Sequence, residues 1–253
     1  MPWDPDRYRA FQAERSAPFD DLFAMLRVSD GLRAIDLGCG TGELTLRLAQ
    51  QLPGSDVLGI DSSTEMLAQA GALARPGLRF ERRAIEDVTG AWDVVFSHAA
   101  LHWVEGHDEL LPRVWSLVLP GGQLAVQIPS NHDHPTHTLI TETAGEPAFR
   151  EALAGWTRTS PVRSIETYAS LLYGLGATRI TVIEKVYPHV LADADALADW
   201  TSGTALVPYF ERLPEHLRGP FMEAYRARLR ARFPSQPVFY PFRRTLFAAT
   251  RPA

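Results

Sequence analysis

Ala34-Ile35-Asp36-Leu37-Gly38-Cys39-Gly40-Thr41-Gly42 is the stretch whose reading decides the fold. An apolar run ends here in a glycine-rich turn, and Leu44, Leu48 and Leu52, spaced by four, open an amphipathic helix directly after it. Glycine tolerates positive φ and lacks a Cβ, so such a turn lets the main chain press against a bound molecule and is expected to aim its N–H groups at an anionic part of that molecule. Nineteen residues beyond Gly42 a second apolar run, Val57-Leu58-Gly59-Ile60, ends in Asp61. In a doubly wound sheet this carboxylate falls beside the first turn, in reach of a ribose diol. The third glycine comes one residue too early for G-x-G-x-x-G, and Glu43 occupies the expected place. That spacing turns the reading away from a dinucleotide.

Outward from this unit, apolar segments alternate with helical patterns. Strands are expected at 33–37, 57–60, 78–83, 93–97, 123–129, 179–186 and 243–250, with helices between them. Seven such strands give an α/β, Rossmann-like fold. The helix after Gly42 runs to Leu52; the next is capped by Ser62 or Ser63 and turns Met66, Leu67 and Ala70 inward; a third stripe is Leu110, Leu111, Val114 and Val118. Between the last two strands, residues 191–233 are too long for a hairpin loop and strongly helical in pattern, which makes them a cap. Within it Phe221, Tyr225, Leu229 and Phe233 recur every four residues, with Arg226, Arg228, Arg230 and Arg232 among them, a pattern expected of a solvated helix face over an aromatic core.

Composition narrows the function classes. The 253 residues are 45% hydrophobic with a net charge of −5, enough for one sizeable core but without the broad basic face that nucleic acid requires. The single cysteine, Cys39, excludes an internal disulfide, and no apolar run approaches a membrane span. These features point to a soluble, cytoplasmic protein of a reducing compartment, without nucleic-acid or membrane partners and with an open oligomeric state. A single domain over residues 1–253 is expected, carrying an N-terminal helical cover at about 1–30.

Asp36 two residues before G-x-G-x-G resembles motif I of the class I S-adenosylmethionine-dependent methyltransferases. More specific are Trp3-Asp4-Pro5, Tyr8, Phe11 and Glu14-Arg15-Ser16; Ser97-His98-Ala99-Ala100-Leu101-His102-Trp103; Gln127-Ile128-Pro129-Ser130-Asn131; and Pro135-Thr136-His137. Together with Trp200, Leu206, Pro208 and Tyr209, these resemble the trans-aconitate 2-methyltransferases along the whole chain. The resemblance implies a seven-stranded mixed sheet closed by an antiparallel hairpin, S-adenosylmethionine as cofactor with S-adenosylhomocysteine as product, and a tricarboxylate acceptor converted to a monomethyl ester. The acid that commonly holds adenine after strand three is Ala84 here, so that contact passes to Ile85 with Glu86 or Asp87.

The resulting candidates for the cofactor are Asp36, Gly38, Cys39, Gly40, Gly42, Asp61, Ser62, Met66, Ile85, Glu86 and Ser97. Those for the acceptor are Arg15, His102, Trp103, Asn131, His137 and Tyr209. No general base is expected, because a carboxylate of ordinary pKa near ~4 is already ionised at neutral pH. Arg15, His102 and His137 are the candidate clamps for the carboxylates that are not attacked. The histidines 98, 102, 132, 134 and 137 match no zinc spacing, and no metal is expected. Three functions stay open: methylation of trans-aconitate, methylation of another small anionic or carrier-linked acid, and cofactor binding without catalysis.

Overall fold

The structure, a computed structural model, describes residues 13–253, with side chains from Ser16 onward. Trp3, Asp4, Pro5, Tyr8, Phe11 and the side chains of Glu14 and Arg15 lie outside the described residues. The described chain divides into two compact units. One comprises Ala13–Ser130, Pro161–Lys185 and Arg243–Ala253, the other Asn131–Ser160 and Val186–Phe242.

The first unit is built on a seven-stranded mixed sheet. Its strands are β1 (Arg33–Leu37), β2 (Asp56–Asp61), β3 (Leu78–Arg82), β4 (Trp92–His98), β5 (Val118–Pro129), β6 (Thr178–Leu191) and β7 (Val238–Thr250), in the order β3-β2-β1-β4-β5-β7-β6. Strands β1 to β5 pair in parallel, and β7 runs antiparallel to β5. Four of the five residues of β1 are buried, as a central parallel strand covered on both faces requires. The order reverses direction between β1 and β4, so the carboxyl ends of these two strands flank the crevice where open α/β sheets take their ligands.

Helices α1 (Ala13–Phe23), α2 (Glu43–Gln51), α3 (Thr64–Ala70), α4 (His107–Ser116) and, further along, Ile165–Gly174 belong to this unit. In α2 the buried residues are Thr45 and Leu48, with Leu52 buried just past its end, so the stripe is rotated slightly from Leu44. Ser63 caps α3, accepting from the Met66 N–H at 3.2 Å. Leu110, Leu111 and Val114 line α4 as expected, whereas Val118 opens β5. At Pro120-Gly121-Gly122 β5 is irregular: the β4–β5 register jumps from Trp92 opposite Val118 to Val94 opposite Gln123, while Gly121 and Gly122 exchange backbone hydrogen bonds with Arg251 at 2.9 Å each. Phe19 of α1 meets Phe96 edge to face at 5.6 Å between ring centres, which fixes α1 over one face of the sheet.

The second unit is helical: α5 (Pro135–Ala144), α6 (Pro147–Ala152), α8 (Ala194–Ser202), α9 (Val207–Arg212) and α10 (Glu215–Arg232), with Ile165–Gly174 of the first unit as α7. Phe221, Tyr225 and Leu229 are fully buried and form its core with Leu197, Leu206 and Tyr209. The arginines of α10 are engaged on its outer side: Arg226 with Asp199 at 2.7 Å, Arg228 with Glu146 at 2.6 Å, and Arg230 with Asp195 and Glu223, each at 2.9 Å. Half-exposed ion pairs of this kind add little stability but neutralise the cations, in keeping with a solvated face.

Candidate active site

The turn after β1 is braced by the end of β2. The N–H groups of Gly38 and Cys39 both donate to the Ile60 carbonyl, at 2.9 and 2.8 Å, and the Gly42 N–H donates to the Cys39 carbonyl at 3.0 Å. The Gly40 N–H donates to Asp61 Oδ2 at 2.9 Å, and Asp61 Oδ1 accepts from the Ser63 N–H at 2.9 Å. The expectation that these glycine N–H groups face an anionic ligand is therefore corrected: protein acceptors take all of them. Each Asp61 oxygen keeps lone-pair capacity beyond its one backbone donor, so the carboxylate is oriented without being saturated.

Gly38, Gly40 and Gly42 all have positive φ, at 80°, 54° and 81°. Two of them are also dictated by packing. A Cβ on Gly38 would lie 2.2 Å from the Ala100 Cβ, and one on Gly42 would lie 2.9 Å from Ala70 and from the Phe80 ring. The turn is thus pressed between α3, β3 and the β4 exit. Ala99, just past β4, itself adopts φ 55°, a conformation that costs a non-glycine residue about 1–2 kcal/mol.

Asp36 is 2% exposed. Its Oδ2 accepts from the Thr45 hydroxyl at 2.6 Å, while Oδ1 is buried with no hydrogen-bond partner among the described residues. Burial raises its pKa to about 7, opposed by the Thr45 hydrogen bond and assisted by the charge of Asp61. Between the ordinary value of 3.8 and about 7 the folded protein holds a proton that the unfolded chain has released, so stability falls as pH rises through this window. Urea unfolding without ligand is expected to give a protein on the order of 2–4 kcal/mol less stable at the top of that window than at its base, and Asp36→Asn should flatten this slope. An unchanged slope in the variant would contradict the assignment.

The remaining cofactor candidates are placed as follows. Cys39 is buried within the turn and its thiol is pushed up, first by burial and then by Asp36 and Asp61, which suits a packing residue. Ser62 is exposed and leaves the cap to Ser63. Met66 is buried on α3. Ile85 is half-buried, with its Cδ1 3.8 Å from the position a Gly38 Cβ would take, and Glu86 beside it is exposed. The fully buried Ser97 donates to the Leu37 carbonyl at 2.9 Å, so its hydroxyl serves the sheet.

Among the acceptor candidates of this unit, His102 and Trp103 are both half-buried on the β4 exit, with ring centres 4.8 Å apart. The side chain of Arg15 lies outside the described residues. In the second unit, buried Asn131 donates to the Tyr240 hydroxyl at 3.1 Å, and Thr136 connects that hydroxyl with His137 Nδ1. His137 has its pKa lowered to about 3, mainly by burial and then by neighbouring histidines. The structure thus corrects its reading as a cationic clamp, since it is neutral at neutral pH. Tyr209 is corrected too: it lies in the core, stacked near Phe221 and Trp156, with its hydroxyl accepting from the Arg158 N–H at 3.1 Å, a packing role. No metal-binding group of three or more His, Cys, Asp or Glu side chains occurs among the described residues.

Sequence reasoning gave no site role to Thr45, His98, Gln127 and Arg244, although His98 and Gln127 stand in stretches that carry the family resemblance. Thr45 falls on the buried stripe of α2 and its role depends on the turn geometry. The other three are buried polar residues at the carboxyl edge of the sheet, and their polarity inside apolar strands was the available signal.

Comparison with known proteins places this arrangement. A methyltransferase-domain family matches residues 28–160. Over 258 aligned residues the chain is 50% identical to the trans-aconitate 2-methyltransferase of Deinococcus radiodurans, covering 100% of this chain and 99% of that protein. The chain belongs to the trans-aconitate 2-methyltransferase family. A second member, from Rhizobium meliloti, is 38% identical with 99% of both chains covered. Among solved structures, the YcgJ protein of Bacillus subtilis aligns with a TM-score of 0.59 at 15% identity, covering 96% of this chain and 99% of that one. An S-adenosylmethionine-dependent methyltransferase of Mesorhizobium loti aligns at 0.51 and 22%, covering 93% and 98%. These likenesses concern the fold, that of class I methyltransferases. No described helix is long and apolar enough to cross a membrane.

Proposed function

We propose that this protein transfers a methyl group from S-adenosylmethionine to one carboxylate of trans-aconitate, giving a monomethyl ester and S-adenosylhomocysteine. The reading is carried by half-identity along the full length to a trans-aconitate 2-methyltransferase, together with the glycine turn, Asp36 and Asp61. The residues fit the cofactor: the unpartnered Oδ1 of Asp36 suits a cationic ammonium group, and the oriented Asp61 carboxylate suits a ribose diol. Ile85 and Met66 would supply apolar contacts to the adenosine, and Glu86 a polar one.

When bound, the cofactor supplies an electrophilic methyl on a sulfonium. The protein's own work is positioning. The acceptor carboxylate is ionised at neutral pH, so no side chain has to remove a proton. His102 and Trp103, on the exit of β4, would wall the acceptor beside the turn. In-line alignment within about 3–3.5 Å supplies several kcal/mol of rate acceleration. Incubation of the purified protein with both substrates is expected to add one methyl to trans-aconitate, read by mass, with the ester position assigned by NMR. Turnover of a different acid in a panel, with trans-aconitate unmodified, would overturn the named substrate.

A further inference from the structure

The parallel register sets His98 of β4 opposite Gln127 of β5, and the antiparallel register sets Leu246 opposite Gln127 and Arg244 opposite Pro129. Side chains two apart share a face of a strand, so Gln127 and Arg244 are diagonal neighbours on one side of the sheet. That side is the one covered by α1. Gln123, four residues before Gln127, accepts from the Arg27 N–H at 2.8 Å and donates to the Arg27 carbonyl at 2.9 Å, just past α1. Phe19 of α1 also contacts His98, with 6.2 Å between ring centres. His98, Gln127 and Arg244 therefore form a row of buried polar groups at the carboxyl edge, 7%, 0% and 4% exposed.

The hydrogen bonding of this row is directional. Arg244 Nη1 donates to Gln127 Oε1 at 3.3 Å. A guanidinium only donates, so the amide oxygen must face it and the amide nitrogen must face away. Gln127 Nε2 is buried and has no acceptor among the described residues. A buried donor left unmatched is costly, and a guanidinium stays charged at any physiological pH. An amide N–H beside a guanidinium fork, in a chain of net charge −5, is a donor set for a carboxylate.

We infer that Gln127 and Arg244 bind a carboxylate of the acceptor, holding it while another carboxylate is methylated. The inference rests on the proposed acceptor class. Gln127 acts twice, orienting the guanidinium through its oxygen and donating through its nitrogen. The pair supplies positive charge from within the sheet, independent of Arg15 and of neutral His137.

The test uses the full chain and two substitutions at Gln127. Gln127→Glu replaces the donor with a carboxylate that pairs with Arg244 and repels the acceptor. Gln127→Met deletes the donor without adding charge and guards against a charge-induced folding defect. Gln127→Glu is expected to raise the KM for trans-aconitate at least about 30-fold, and Gln127→Met about 10-fold. The affinity for S-adenosylhomocysteine, by calorimetry, should change less than about threefold. An acceptor lacking one carboxylate should lose less than trans-aconitate does, a difference that a merely structural role would not produce. Near-wild-type KM in a folded variant overturns the inference. So does a parallel loss of S-adenosylhomocysteine affinity, which would assign the pair to the cofactor's own carboxylate. If the wild type binds a different polycarboxylate and Gln127→Glu abolishes that binding, the proposed substrate fails while the carboxylate site stands.

Discussion

Gly38→Ala is expected to lower the unfolding free energy by about 2–5 kcal/mol, the combined cost of overpacking and of a side chain at positive φ. The new methyl would be 2.2 Å from the Ala100 Cβ, and Gly38 has φ 80°. The obstacle is another fixed turn, not a flexible side-chain end, so the β1 and β4 exits must separate. Denaturant unfolding of Gly38→Ala, Ala100→Gly and the double variant divides the two causes. Ala100→Gly should return the steric part and leave the conformational part of about 1–2 kcal/mol. A Gly38→Ala protein as stable as the wild type would mean that this turn is looser than its geometry indicates.

Asp61→Ala is expected to weaken S-adenosylhomocysteine binding by about 1.5–3 kcal/mol, or roughly 10- to 150-fold in Kd, as loss of a charged acceptor implies. The same change strips the Gly40 and Ser63 N–H groups of their acceptor, so stability should fall as well. Asp61→Asn separates the effects, because its amide oxygen can still receive one of those donors while the charge is gone. Calorimetry that finds unaltered affinity in a folded Asp61→Ala protein would reduce the carboxylate to a brace for the turn.

Strands β1 to β4 were legible to within about one residue at each end, whereas β5, read as 123–129, begins at Val118. Segments such as Ala34-Ile35 and Val57-Leu58 are buried on both faces, and an uninterrupted apolar run bounded by Gly or Asp has few other readings. The two last strands were read short, at 179–186 and 243–250, whereas they run over Thr178–Leu191 and Val238–Thr250. Pro188 and Pro241 lie in the unread portions, and proline argues against a strand by removing a ladder donor. That the glycines and Asp61 meet at one turn was legible because spacing along one βαβ unit carries it. Their hydrogen bonding was not, since the choice of the Ile60 carbonyl as acceptor depends on how the turn settles against β2. Arg244 and Gln127 are separated by more than a hundred residues of sequence, and only the antiparallel register brings them together. Tyr209 misled because an aromatic in a cap reads alike whether it faces a ligand or a core.

The position of β7 between β5 and β6 bears on how the protein is made. As the chain leaves the ribosome, β5 and then β6 emerge while the strand that separates them is still unsynthesised. Until β7 arrives, both have open backbone edges, the kind that recruit strands from other molecules. Closure of the sheet therefore waits for β7, and nascent chains stalled before residue 238 should be the forms that engage chaperones or aggregate.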